Sequence, residues 1–291
     1  NTVVTYDLWG DNQGNQAQPL LLSNKGRYAW CEDPINYSFN KGTLTVTSKT
    51  GKIKHGTKGN NLRDAYEFVS SEFFPSNSEI PDEMLFTHPQ YNTWIELMYD
   101  QNEKDILKYA RAIIDKGYPP GVLMIDDNWQ EDYGTWKFSP RRFDDPKGMI
   151  DKLHGMGFKV MMWICPFISA DSEVFRHLAK EGMLILDGDR TQNVLWANTQ
   201  NKAAVMRWWN GASACLDLSN PKTREWFQEQ MDYLVEEMGV DGFKLDAGDA
   251  RFYDGDFISF NTTIPNDHTT YFAEVGLKYP MNEYRASWKM A

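Results

Sequence analysis

The part of this 291-residue sequence most ready for chemistry is Gly239-Val240-Asp241-Gly242-Phe243-Lys244-Leu245-Asp246-Ala247-Gly248-Asp249. It reads as a short buried strand, Phe243 to Leu245, that delivers Asp246 at its C-terminal tip. Lys244, Asp246 and Asp249 crowd together beside two small residues, Ala247 and Gly248. A carboxylate set between a cation and a second carboxylate on a rigid strand suits a nucleophile or general base with a tuned pKa. An ordinary strand end with turn chemistry and a solvated charge reads the same way. The stretch alone therefore leaves both readings open.

The elements that would position it change character along the chain. Residues 1 to about 85 hold short β-rich runs, Gln18–Ser23, Gly26–Cys31, Ile35–Phe39 and Gly42–Ser48, punctuated by Asn24-Lys25-Gly26, Asp33-Pro34 and Asn40-Lys41-Gly42. That rhythm predicts an antiparallel β-sandwich over 1–85. A helix is expected near Leu62–Ser70, and Pro75 and Pro81 mark the exit. From residue 86 the order becomes strand, polar loop, helix, strand. Thr93–Tyr99, Gly121–Ile125, Phe158–Ile164 and Phe243–Leu245 are read as strands, with another around Met281–Trp288. Helices are expected after the caps Asn102, Asp145-Pro146, Asp171-Ser172 and Asn220-Pro221. Residues 182 to 213, with the Trp-rich Arg207-Trp208-Trp209, form an insertion. Charged residues after successive strand tips predict an α/β fold, a (β/α)8 TIM-type barrel over 86–291 with its site on the C-terminal face. A doubly wound open sheet is the alternative, weakened because no Gly-rich phosphate fingerprint follows any strand. A full barrel takes about 250 residues, so this one is expected to be cut short after about five strands.

Composition bounds the partners. A net charge of −11 disfavours nucleic acid and anionic membranes. There is no apolar run long enough for a transmembrane helix. Three cysteines, Cys31, Cys165 and Cys215, show no ligand spacing, and the 5 histidines are scattered, so neither metal nor other cofactor is expected. Aromatic residues reach 14%, including 11 Trp, which suits a carbohydrate pocket as well as a large core. The N-terminus lacks a signal-peptide pattern and reads as a start within a domain or after processing. The compartment stays open, with periplasmic or secreted favoured over cytoplasmic.

Three segments in order resemble the retaining α-glycosidases of glycoside hydrolase family 31, with an echo of the family 27 and 36 α-galactosidases. The first is Ile125-Asp126-Asp127-Asn128-Trp129-Gln130, followed by Trp136, Phe138, Arg142-Phe143, Pro146, Gly157-Phe158-Lys159 and Trp163-Ile164-Cys165-Pro166. The second is Leu216-Asp217-Leu218-Ser219-Asn220-Pro221, and the third is the strand ending at Asp246. The resemblance implies hydrolysis of a terminal α-linked sugar with retention, which needs two carboxyl groups about 5 to 5.5 Å apart. Asp246 matches the family nucleophile, and Lys244 on the same strand face would favour its charged form. Asp126 matches the aspartate that binds hydroxyls of the non-reducing-end sugar. Asp127 has no counterpart in most family 31 α-glucosidases, but the adjacent pair resembles that of family 36, which grips an axial O4 and O6. Successive strand residues point oppositely, so both can bind only if Asp127 has left the strand.

Arg285 matches an arginine that binds sugar and braces the catalytic carboxylates, with a plain salt bridge as its alternative. Trp163 and Trp129 would wall the pocket, core packing being the alternative for each. Asp11, after Trp9, would correspond to the aspartate that the sandwich reaches into the site. Cys165 stands where many relatives carry Asp. Asp249 falls where the family often has Glu. The acid/base follows the arginine strand in the family and is expected outside this chain; Asp254, Asp256 and Glu274 match no motif. Lys244 in place of the usual aromatic residue leans the specificity toward α-galactoside ahead of α-glucoside, with α-xyloside third. The substrate would be an oligosaccharide or glycoside. A non-catalytic carbohydrate-binding protein on the same fold, or an unrelated aldolase or metal-hydrolase barrel, are the competing classes. The former needs no Lys244/Asp246 pair, and the latter would use a His cluster or a Schiff-base lysine on the strand tips.

Overall fold

A computed structural model describes residues 3–9, 16–188, 202–261 and 263–289. Its centre is a curled, all-parallel half-barrel of five strands: β1 (Gln90–Asn92), β2 (Val122–Ile125), β3 (Lys159–Ile164), β4 (Gly242–Leu245) and β5 (Met281–Tyr284). The strands lie side by side in sequence order, each paired in parallel with the next. A singly wound order is that of a barrel, whereas a doubly wound sheet reverses direction at a switch point. The whole of β2 is buried, and so is β3 beyond Lys159. Both strands are nearly continuous apolar runs, as a sheet covered on both faces requires.

The helices follow the capping chemistry. Helix α1 (Glu103–Asp115) starts at Asn102, whose side chain accepts from the Asp105 amide, and buries Ile106, Ala110 and Ile113 along one face. Helix α2 (Pro146–Gly155) starts at Asp145, which accepts from the Gly148 amide, and α3 (Glu173–Lys180) at Ser172. Helix α4 (Pro221–Glu236) has Asn220 as its cap and a proline in its first turn. Helix α5 (Pro265–Gly276) leads into β5. Between β3 and α4 the insertion contains an antiparallel hairpin, Met206–Trp208 with Gly211–Cys215, whose turn is Trp209–Asn210.

One predicted strand is displaced. Thr93–Tyr99 alternates enough to read as extended, yet Trp94–Leu97 is a helical turn and the β-pairing belongs to Gln90–Asn92. Asn92 causes the change of direction: its Oδ1 accepts from the Trp94 amide at 2.8 Å.

The inward face of the half-barrel is built in rows. Met124, Met161, Gly242 and Met281 are register partners across β2 to β5. The three methionines join Val122 in an apolar cluster closed by Met84 and Leu85. Gly242 is needed here because a Cβ would collide with the Met281 carbonyl. Two residues further along, Trp163, Lys244 and Glu283 form the next row. The interior thus changes from methionine to charge within one step of the pleat. At the opposite end of the sheet Asp241 ties β3 to β4: it accepts from His154 Nε2 (2.8 Å), Lys159 Nζ (2.7 Å) and the Val160 amide (2.8 Å).

The N-terminal residues form two three-stranded antiparallel sheets. One pairs Val4–Asp7, Ile35–Asn40 and Thr43–Ser48; the other pairs Leu20–Leu22, Arg27–Trp30 and Lys54–Thr57. The helix Leu62–Phe73 covers the second sheet, with Phe73 stacked on Trp30 at 5.3 Å. Leu8, Cys31 and Ile35 pack with Trp288, just beyond β5, and Asn266 of α5 donates to the Leu8 carbonyl. The sheets therefore dock beside the C-terminal end of the half-barrel.

Asp241→Ala removes three donors' shared acceptor from a mostly buried position. It should lower stability by about 2 kcal/mol or more, read as a fall in the urea midpoint of the complete protein.

Candidate active site

All five strands present a polar or aromatic side chain at their C-terminal ends: Asn92 from β1, Asp126 after β2, Trp163 from β3, Asp246 after β4 and Arg285 after β5. The backbone ladder carries on past the strands, with the Asp246 amide bonded to the Ile164 carbonyl and the Arg285 amide to the Leu245 carbonyl. That continuation fixes Asp246 and Arg285 to the rigid sheet rather than to a loop.

Asp246 is buried, and every contact to its carboxylate comes from a donor. Trp163 Nε1 donates to Oδ2 at 2.8 Å, and the Ala247 amide donates to Oδ1 at 2.7 Å. Arg285 Nη1 lies 3.2 Å from Oδ1 and 2.6 Å from Asp249 Oδ2. Ala247 adopts φ 60°, a left-handed conformation that a non-glycine residue rarely takes, and this turns the chain sharply after Asp246. Burial raises the Asp249 carboxyl above its usual range against the opposing charge of Arg285.

Lys244 reaches across β3 to Asp126, with Nζ 2.9 Å from Oδ2 and little exposure of either side chain. Asn92 Nδ2 donates to the same oxygen at 2.8 Å, and the Asp127 amide donates to Oδ1 at 2.8 Å. Burial acts to lower the Lys244 pKa, but the charge of Asp126, its hydrogen bond, and the carboxylates of Asp246 and Glu283 outweigh it, so the net shift is upward.

Asp127 has left the strand, since β2 ends at Ile125 and Asn128 takes φ 72°. Its carboxylate accepts from Tyr133 Oη at 2.8 Å and from Asn210 Nδ2. Asn210 is fixed in turn by Tyr99 Oη, which donates to its Oδ1 at 2.7 Å. Burial pushes the Asp127 carboxyl up to about 6, with the two donors working in the other direction.

The hairpin turn spans the site. Asn210 meets Asp127 on one side, while Trp209 covers the Arg285 guanidinium at 4.8 Å on the other. Trp208 continues the aromatic layer, stacked on Phe167 at 4.6 Å and parallel to Trp163 at 6.4 Å.

Of the residues expected from sequence, Asp126, Asp127, Lys244, Asp246, Arg285 and Trp163 converge here. Trp129 is placed differently. It is fully buried, and its Nε1 donates to the Trp163 carbonyl at 2.8 Å, so it braces the wall from behind. Asp11 lies outside the described residues. Asp217 and Asn220 organise the turn into α4: Asp217 accepts from the Ser219 amide and hydroxyl and from the Phe260 amide. Cys165 is buried, and burial holds its thiol well above the usual range.

Asn92, Tyr133, Asn210 and Glu283 were not singled out from sequence. Asn210-Gly211 is a hairpin signal, one residue out of step with the observed turn at Trp209–Asn210, and Glu283 shares a strand face with Arg285 by its period of two.

Against known proteins, residues 84–291 match the family model described as the glycosyl hydrolases family 31 TIM-barrel domain. The chain belongs to glycoside hydrolase family 31. The mouse myogenesis-regulating glycosidase is 27% identical over 202 residues, 69% of this chain and 27% of that protein. The α-xylosidase XylQ of Lactiplantibacillus pentosus is 23% identical over 279 residues, 86% of this chain and 33% of its own length. The Flavobacterium johnsoniae family 31 dextranase complexed with glucose superposes with a TM-score of 0.78 at 16% identity, over 98% of this chain and 37% of that one. The family 31 chain described here thus spans about a third of the length of these relatives.

Each donor on Asp127 stabilises its charged form, so removing one should raise the pKa. Tyr133→Phe and Asn210→Ala are expected to move the Asp127 titration above about 6, read by carboxyl carbon NMR with Asp127→Asn for assignment. An unmoved midpoint would show that neither bond holds in solution.

Proposed function

We propose that the complete protein is a retaining exo-α-glycosidase and that Asp246 is its nucleophile. The observation that carries this reading is the setting of Asp246. It is a carboxylate on a rigid strand tip, oriented by Trp163 and Ala247, with Arg285 at hand, in a site that also holds the Lys244–Asp126 pair. An Asp246 oxygen attacks the anomeric carbon as the glycosidic C–O bond breaks, and the leaving oxygen takes a proton from the acid/base. The resulting glycosyl ester is then hydrolysed by water that the same acid/base deprotonates. That second carboxyl we place on the part of the barrel beyond these residues. Arg285 and Trp163 hold Asp246 in line for attack, in keeping with catalysis by positioning.

For the sugar, α-galactoside is supported by the Asp126-Asp127 pair and by Lys244. Because the strand ends at Ile125, Asp127 is free of the alternation that would turn it away from Asp126, and Lys244 Nζ reaches Asp126. An axial hydroxyl is best recognised by acceptors and a cation converging from one side. The α-xyloside reading is favoured by a different observation, the α-xylosidase relatives from Lactiplantibacillus pentosus and Emericella nidulans, at 23% and 22% identity.

The p-nitrophenyl α-galactoside, α-glucoside and α-xyloside, offered to the complete protein, separate these readings, with the galactoside expected to show the highest kcat/KM. Asp246→Ala should lower turnover about 10⁴-fold or more without loss of the thermal transition. Turnover of that variant near the wild-type rate would remove Asp246 as nucleophile, and a preference for the xyloside would overturn the assignment of galactose.

A further inference from the structure

Among the described residues, Glu283 is an inward-facing carboxylate near Asp246 that the reading above leaves without a task. It is the register partner of Lys244 on β5, two residues before Arg285. Parallel neighbours in register share a face, as do residues two apart on a strand. Since Lys244 Nζ points to Asp126 and Arg285 Nη1 to Asp246, Glu283 points into the same space, one row deeper than Arg285. Its charge is felt by Lys244, and it feels Asp126 and Asp246 in turn.

Charge balance does not account for it. Lys244 is matched by Asp126 at 2.9 Å, and Arg285 is shared by Asp246 and Asp249 at 3.2 and 2.6 Å. Both cations are thus already paired, and Glu283 is a surplus negative group. Among the described residues its carboxylate accepts no hydrogen bond. A half-buried carboxylate without donors is costly, and burial raises its pKa despite Lys244. Such a group on the floor of a sugar site is stabilised when a ligand brings the donor.

We infer that Glu283 is a substrate-binding residue that accepts a hydrogen bond from a ring hydroxyl of the sugar attached to Asp246, on the side away from the scissile bond. The inference rests on the glycosidase reading and adds a specificity contact to it. It makes the floor of the site a reader of one hydroxyl, with Lys244 from the adjacent strand and Asp126 from the end of β2 reading its neighbours.

The test uses the complete protein, its best p-nitrophenyl α-glycoside, and the 2-, 3- and 4-deoxy derivatives of that substrate. Glu283→Ala should lower kcat/KM for the parent sugar by about 10- to 150-fold, the span of a hydrogen bond to a charged group. For one deoxy sugar, the one lacking the contacted hydroxyl, the variant and the wild type should be nearly equal. Glu283→Gln keeps an acceptor oxygen and should recover part of the loss; it also decides the matter if the alanine variant fails to fold. Equal losses on all the deoxy sugars would mean that Glu283 acts only by holding Lys244, and an unchanged kcat/KM would leave it no role. Either result overturns the inference while the glycosidase stands. Absence of turnover by the wild type on every glycoside would instead remove the proposed function, and this contact with it.

Discussion

The ion pair between Lys244 and Asp126 is what the C-terminal end of the sheet depends on. It joins β2 to β4 over the top of β3, in a place where Asp126, Asp246 and Glu283 would otherwise face one another with little water between them. A buried pair of this kind adds little net stability, because desolvation offsets most of the attraction, but removing one partner leaves an uncompensated charge. The pair is better understood as a device for specificity. It fixes where two charged ends sit, so that the surrounding acceptors keep their geometry without a bound sugar. Arg285 does the same on the other side, dividing itself between Asp246 and Asp249.

The sheet supplies the precision and the connections supply the variety. A row of methionine fills the lower interior, where shape tolerance is useful, and the polar row begins in the last turn of the pleat before the strands end. Asp246 and Arg285 keep backbone bonds to neighbouring strands. Tyr133 and Asn210, by contrast, come from loops, and they meet the sheet through side-chain contacts to Asp127 and Trp163. The proposed nucleophile is thus held by the most rigid part of the molecule, and the donors that fix the Asp127 carboxylate come from connecting segments.

The strands and helix starts were largely legible in the sequence, because caps such as Asn102, Asp145 and Asn220 act locally and apolar runs such as Val122–Ile125 have few other uses. Thr93–Tyr99 misled for an equally physical reason. A one-turn helix and a strand share the same short apolar pattern, and only the side chain of Asn92, bonding back to Trp94, separates them. The charged centre could be read from Lys244, Asp246 and Asp126 since their spacing follows the strands. Tyr133 and Asn210 could not, because hydrogen bonds to Asp127 across 6 and 83 residues leave no periodic trace. Trp129 was read for its ring, yet its indole N–H, bonded to the Trp163 carbonyl, is what places it behind the wall.

The turn Trp209–Asn210 occupies two adjacent positions, yet it faces opposite sides of the cleft, the amide toward Asp127 and the indole over Arg285. Because the hairpin is an insertion between β3 and α4, exchanging its tip would leave every strand and every row of the interior as it is. One short graft would therefore alter two distant walls of the cleft together, and in a fixed ratio set by the turn. The turn is in that sense a single cassette through which both walls can be altered at once.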